Sequence, residues 1–255
     1  MPEYLLIEKT DGVAVITLNR PKANALSIAL LRELSAQLDV LEQDTDARVI
    51  VITGAGDKFF SGGADIREFG QVEPREQISY GQKLFRRIEL FPRVVIAAVN
   101  GIAFGGACEL SMACHLRFAS DNAQFALPEV KLGIIPGWGG TQRMPRLLGK
   151  GRALELMLTG DVISAQDAER LGLVNRMFPA AQFMSETLAF AKRLAKGAPL
   201  AQRAILLATE AGLSRGYDDG IELEREQIIH LISSEDAGIG IGAFLTKQEP
   251  EFKGS

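Results

Sequence analysis

Cysteine, histidine and tryptophan are scarce in this chain: two, two and one among 255 residues. Two cysteines, Cys108 and Cys114, make no disulfide framework, so a reducing compartment and a cytoplasmic location are expected. On a helix they stand about 600° of rotation apart and turn to different faces. His115 beside them completes a zinc set on paper only. Two small core residues are the simpler reading, and no metal is expected. His115 and His230 leave little for histidine-based acid–base work, and no Ser/His pair accompanies the glycine-rich loops, which argues against serine-type hydrolysis.

Long apolar runs are missing too. No stretch approaches the ~18 residues of a membrane span. The opening "MPEYLLIEKTDG" lacks the basic region and apolar run of a signal peptide. There is no lysine/arginine cluster, and the net charge of −4 disfavours a nucleic-acid binder. Acidic substrates stay possible, because a local basic patch can work inside an acidic protein. What remains, with 47% apolar and 24% charged residues, is an ordinary globular composition with enough length to bury a sizeable core.

Strand patterns occur at 4–9, 13–19, 48–53, 94–99 and 173–178. Segments 48–53 ("RVIVIT") and 94–99 ("VVIAAV") are apolar almost throughout, as strands covered on both faces are. Between them lie helical periods. Leucines 30, 31, 34, 38 and 41 form one stripe behind Ser27 as N-cap, and 76–90 reads as a second helix stopped by Pro92. Beyond about residue 180 the pattern turns helical, with segments at 181–197, 199–212, 217–234 and 235–248 separated by Gly197–Pro199 and Gly212–Gly216. An α/β core over 1–195 followed by a helical region over 196–255 is expected.

Glycines cluster in "TGAGDKFFSGGADI" (53–66), "NGIAFGGACEL" (100–110) and "GIIPGWGGTQR" (133–143). The first two follow apolar strands, where ligands bind in open α/β sheets. "GAGDKF" puts Phe59 at the third glycine of a dinucleotide fingerprint, and no Gly-Lys-Ser/Thr phosphate loop occurs. Carboxylates carry the remaining signal. Glu109 sits just past two glycines, where a helix N-terminus offers free N–H groups, and Glu129 lies in apolar "FALPEVKLGII". Each could simply cap a helix or pair with an arginine. Two such groups beside a glycine-rich backbone nest point instead to an acid and a base made from one residue type. Amides from two glycine turns would polarise a carbonyl, giving an enzyme that stabilises an enolate without metal or flavin.

Five blocks carry a family resemblance: "NRP…NAL" (19–26), "FSGGADI" (60–66), "AAVNGIAFGGACELSMACHLRFA" (97–119), "FALPEVKLGIIPGWGGTQRMPRLLG" (125–149) and "LTGDVISAQDAERLGLVN" (158–175). In this order they resemble the enoyl-CoA hydratase/isomerase, or crotonase, family over essentially the whole chain. The resemblance implies an α/β fold of the crotonase type, a spiral of β-β-α units whose helical C-terminal region makes trimers, often paired into hexamers. It implies that Ala64 and Gly106 donate their N–H groups to an acyl-CoA thioester. Ala64, Asp65, Ile66 and Arg67 would line coenzyme A, with Phe244 and Lys247 helping, often from a neighbouring subunit. CoA is then part of the substrate and no separate cofactor is needed.

Members with both glutamates are hydratases, so the resemblance implies syn addition of water to a trans-2-enoyl-CoA, as in fatty-acid β-oxidation. Glu109 would activate the water and Glu129 would protonate C2. The same scaffold supports a Δ3,Δ2-enoyl-CoA isomerase, and a non-catalytic acyl-CoA binder is a third alternative. Three features depart from the family pattern, the first being that only Lys22 and Ala23 separate Pro21 from Asn24, one residue fewer than the commoner spacing. His115 stands where aspartate is usual, which suits a structural hydrogen bond. Trp138 replaces a small residue and either lines the acyl pocket or packs on a helix.

Overall fold

In the computed structural model, which describes residues 2–71 and 73–255, two sheets grow in alternation along the chain. The first holds β1 (Leu5–Thr10), β2 (Val13–Leu18), β3 (Val49–Gly54), β5 (Val94–Val99), β7 (Leu116–Ser120) and β10 (Arg176–Phe178), side by side in that order. Only β1 runs antiparallel to its neighbour. The second holds β4 (Phe59–Ser61), β6 (Ile102–Phe104), β8 (Gln124–Ala126) and β9 (Ile163–Ser164), with β4, β6 and β8 parallel. Each of β3, β5 and β7 in the first sheet thus leads into a short strand of the second.

Ten α-helices lie among the described residues: α1 (Ile28–Gln43), α2 (Pro74–Glu89), α3 (Gly106–Ala113), α4 (Gly140–Leu148), α5 (Lys150–Thr159), α6 (Ala165–Leu171), α7 (Phe183–Ala195), α8 (Pro199–Ser214), α9 (Tyr217–Ile232) and α10 (Glu235–Thr246). Ser27 caps α1, its hydroxyl accepting from the Leu30 N–H, and the five leucines of the stripe are all buried. Proline begins α2 and α8, where a missing N–H costs nothing. That start places α2 two residues earlier than its periodicity suggests.

β3 and β5 are buried along their whole length because both faces of the sheet are covered. One face, with Ile16, Ile50, Ile52, Val95 and Ala97, belongs to the core built by α1, α2, α3 and the second sheet. The other, with Val13, Val15, Val49, Val51 and Ile96, packs under Phe183, Ala191 and Ala195 of α7. α8 and α9 form an antiparallel pair, and α10 packs on α9. Among the described residues no single helix is long and apolar enough to cross a membrane.

Two expectations are corrected. The first two glycine clusters are not plain loops after buried strands; each contains a short strand of the second sheet before its functional glycines. And Gly212 does not end a helix. It lies inside α8, where the α9 backbone crosses so closely that a Cβ on Gly220 would stand 2.6 Å from the Gly212 Cα. Gly220→Val should therefore force α8 and α9 apart at a cost of about 1–3 kcal/mol. The expected result is a lower melting temperature in a thermal scan.

Candidate active site

The pocket lies where β4, β6 and β8 end. Parallel pairing sets Ser61 beside Ala103 and Phe104 beside Ala126, so the chain leaving all three strands emerges at one place. From β4 come Gly62–Asp65, from β6 the glycines that open α3, and from β8 the turn Pro128–Leu132 bearing Glu129.

These backbones touch. Gly63 has φ +95°, and a Cβ there would meet the Phe104 carbonyl oxygen at 2.5 Å and the Gly106 nitrogen at 3.4 Å. Gly106 is equally confined: its Cβ would stand 2.4 Å from the Trp138 ring and 3.4 Å from the Ala64 nitrogen. Only glycine fits either position. Leu26 donates to the Gly63 carbonyl and accepts from the Asp65 N–H, which turns the intervening Ala64 N–H the other way. The Gly106 N–H belongs to the first turn of α3, whose amides have no acceptor within the helix. Neither amide has a hydrogen-bond acceptor among the described residues. Two free donors on backbones this close are the parts from which a carbonyl-oxygen site is made.

Glu109, in the first turn of α3, is 2% exposed and Glu129 is 9% exposed. Glu109 Oε1 accepts the N–H groups of Trp138 at 2.8 Å and Gly140 at 2.7 Å, which leaves Oε2 open. Glu129 lies against Gly105, whose Cβ would stand 3.1 Å from its Oε1, while its Oε2 is buried without a partner. Gly105, at φ +54° and ψ −127°, thus lets Glu129 reach the start of α3. Burial pushes the Glu109 carboxyl up to about 7; the Gly140 and Trp138 amides and Arg143 pull it back, and the charge of Glu129 adds to the rise. Burial raises Glu129 as well. The two groups can therefore divide acid and base roles near neutral pH.

Trp138 is packed on helices and borders the pocket at once. Its ring sits between Gly81 of α2 and Gly106, with Phe85 edge-on at 5.4 Å. Asp65 is buried between Arg20 and Arg67, each 2.8 Å away. The Arg67 hydrogen bonds, with those of Arg20, hold its carboxyl far below the ordinary range. Ile66 and Arg67 face outward. Phe244 and Lys247 are not brought to the pocket within one chain: they lie on and just after α10, and Phe244 is 83% exposed. A cavity of about 550 Å³ opens beside the pocket between the start of α2 and the 134–142 segment, lined by Phe69, Ile78, Ile134, Ile135 and Pro136 among others.

The sequence reading missed several residues. Asn24 donates from Nδ2 to the Ala55 and Phe59 carbonyls, tying the turn ahead of β4. Arg143, in "GGTQR", holds the Trp138 carbonyl. The sequence shows only an arginine three residues after Gly140; its burial and its partner are seen in the fold alone. His115 is structural: Nδ1 accepts the Val95 N–H, Nε2–H donates to the Glu89 carbonyl, and burial lowers its pKa to about 4. Burial raises both cysteine thiols, and no group of three potential ligands among the described residues could hold a metal ion.

The enoyl-CoA hydratase/isomerase family model matches residues 8–255. The chain belongs to that family. A Clostridium acetobutylicum relative named short-chain-enoyl-CoA hydratase is 41% identical over 251 residues, 97% of this chain and 96% of its own. A Syntrophomonas wolfei relative named crotonyl-CoA hydratase is 41% identical over 254 residues, 98% of each chain. The crystal structure of enoyl-CoA hydratase from Bacillus anthracis matches with a TM-score of 0.96 at 39% identity, covering 99% of this chain and 100% of that one. The fold is the crotonase fold of that family, ending in a helical C-terminal region.

Folding raises the Glu109 pKa, so the folded chain keeps a proton that the unfolded chain releases. Stability from this group is present at low pH and is lost as pH rises from 4.5 to about 7. The loss is worth up to about 3 kcal/mol. Glu109→Gln should therefore gain melting temperature relative to the parent protein between pH 5 and pH 8.5, as scans at both pH values would record.

Proposed function

We propose that the protein is an enoyl-CoA hydratase, a hydro-lyase that adds water across the 2,3 double bond of a trans-2-enoyl-CoA. One observation carries this reading: two buried glutamates, Glu109 in the first turn of α3 and Glu129 on the turn after β8, accompany two backbone amides that lack acceptors. The family and the names of its relatives give the substrate class.

The thioester oxygen takes the N–H groups of Ala64 and Gly106, and the dipole of α3 adds to the attraction for developing negative charge. Glu109 Oε2 holds a water against C3. As the oxygen bonds to C3, its proton passes to Glu109 and the π electrons move through C2 onto the thioester oxygen. The enolate then collapses, and C2 takes a proton from Glu129. The two amides on Oε1 favour an ionised Glu109, whereas the bare Oε2 of Glu129 favours the neutral acid. The reverse sequence dehydrates a 3-hydroxyacyl-CoA.

CoA is carried by the substrate, and no other cofactor enters these steps. Ile66 and Arg67 lie outward on the loop that holds Ala64, placed to meet adenine and pantetheine. The apolar cavity lined by Ile78, Ile134 and Ile135 takes the acyl chain. Exposed Ile205 and Leu213 of α8, Ile228, Ile229 and Ile232 of α9, and Ile241, Phe244 and Leu245 of α10 suit assembly into a trimer or a pair of trimers, in which Phe244 and Lys247 reach a neighbour's CoA. We place the enzyme in the cytoplasm.

Crotonyl-CoA should lose the absorbance of its conjugated thioester when mixed with the protein. Glu109→Gln and Glu129→Gln should each lower kcat by about 10²–10⁴-fold, with the fold retained by circular dichroism. Near-normal rates in either variant remove its assigned role. Conjugation of a 3-enoyl-CoA faster than hydration of crotonyl-CoA would favour the isomerase. Sedimentation at the mass of a single chain would remove the trimer.

A further inference from the structure

The two amides that fix Glu109 stand where the irregular stretch 134–139, which has no strand ladder of its own, runs into Gly140, the first residue of α4. Besides the packed Trp138 ring and the Gln82 amide on the Gly137 carbonyl, one buried side chain on that helix holds the stretch. Arg143 Nη1 donates to the Trp138 carbonyl at 2.8 Å, so Trp138 is gripped at its C=O by Arg143 while its N–H grips Glu109. Gly139 has φ +108°, and a Cβ there would stand 2.1 Å from Nη1; the guanidinium occupies the space a side chain would need.

Arg143 is itself held. Nε and Nη2 make a two-point contact with Glu89 at the end of α2, 3.1 Å to each oxygen. Glu89 Oε2 also accepts from Arg86 Nη1 at 2.8 Å, and Arg86 pairs with Glu210 of α8. Against the upward pull of burial, the Arg143 and Arg86 guanidiniums hold the Glu89 carboxyl below its ordinary range. His115, neutral and bonded to the Glu89 carbonyl and the Val95 N–H, pins the end of α2. The alternating row Glu210, Arg86, Glu89, Arg143 thus runs from a C-terminal helix to the segment that carries the Glu109 amides.

We propose that Arg143 is the positioning residue for Glu109, acting through Trp138 and Gly139, with Glu89 as the anchor that keeps the guanidinium in place. The proposal rests on the hydratase reading for its kinetic consequence, though not for its structural one. A base displaced by about 1 Å loses up to ~10²-fold in rate, so the value of such a clamp lies in holding one oxygen toward the attacked carbon. A buried pair loses more by breaking than it gains by forming, so deletion of either partner is felt at the segment. The charged and titratable groups facing Glu109 are Glu129 from the turn after β8, Arg143 from α4, and the buried Cys108 thiol on its own helix; Glu89 stands behind Arg143 on α2.

The chain has one tryptophan, and it is Trp138, so its emission reports this segment alone. Arg143→Lys, Arg143→Met and Glu89→Gln are to be compared with the parent protein by intrinsic fluorescence, acrylamide quenching and the pH dependence of crotonyl-CoA hydration. In the Arg143 variants kcat should fall about 10–100-fold with KM within about threefold, and the acid limb of kcat should move to higher pH as Glu109 loses amide donors. Emission should shift to the red with faster quenching, and Glu89→Gln should lie between parent and Arg143→Met. An unchanged kcat and acid limb, or a loss of rate that only tracks the unfolded fraction, overturns the proposal. Should neither arginine variant fold, Glu89→Gln and Glu210→Gln must still shift kcat and emission in the same direction; no change in either refutes it. A parent protein that does not hydrate crotonyl-CoA defeats the hydratase reading alone, because the emission change is still required.

Discussion

Everything in the site depends on a backbone-to-backbone approach that no side chain permits. Where β4 and β6 end, Gly63 rides against the Phe104 carbonyl and the Gly106 nitrogen, and Gly106 in turn rides against the Trp138 ring. The approach brings the backbones of Ala64 and Gly106 close together, and Gly105 leaves the space in which Glu129 lies against the start of α3. Rigid strands fix where the turns start and glycine fixes how near they come. A site built this way needs no loop closure to assemble its donors.

The cost falls on two carboxyls buried in an apolar setting, and the fold offsets it unevenly. Glu109 receives two amides at Oε1, whereas the Oε2 of Glu129 receives none. An unsatisfied buried oxygen costs about 1–3 kcal/mol, a penalty that a bound water can relieve. Strain of this kind makes sense where a ligand completes the hydrogen bonding. The same uneven support distinguishes two chemically identical groups: burial raises both, and only Glu109 has backbone amides that pull it back toward its charged form.

Much of the architecture was legible because its signals are local. β3 and β5 announce themselves as apolar runs, and α1 by a leucine stripe behind a capping serine. Glu109 and Glu129 stood out because carboxylates rarely sit in apolar stretches beside glycines. The second sheet did not: strands of three residues, such as Phe59–Ser61 and Ile102–Phe104, are too short to show a period. β7 was hidden by Arg117, a buried charge that spends its guanidinium on the Leu173 and Cys114 carbonyls. The Arg143 support was out of reach for another reason: its partner Glu89 lies 54 residues away, and only the fold puts them together. Phe244 and Lys247 came from family resemblance, and a single chain leaves them on an exposed helix end.

The most direct test of the converging amides is vibrational. The Glu109→Gln/Glu129→Gln double variant is loaded with a conjugated 2-enoyl-CoA, and the thioester carbonyl stretch is read by isotope-edited infrared difference spectroscopy. Two backbone donors on one oxygen lengthen the C=O bond, so the band should fall below its position in water, and Gly63→Ala in the same background should return it toward that position. A bound thioester whose carbonyl band stays at the solution frequency would contradict the convergence of Ala64 and Gly106 on the substrate.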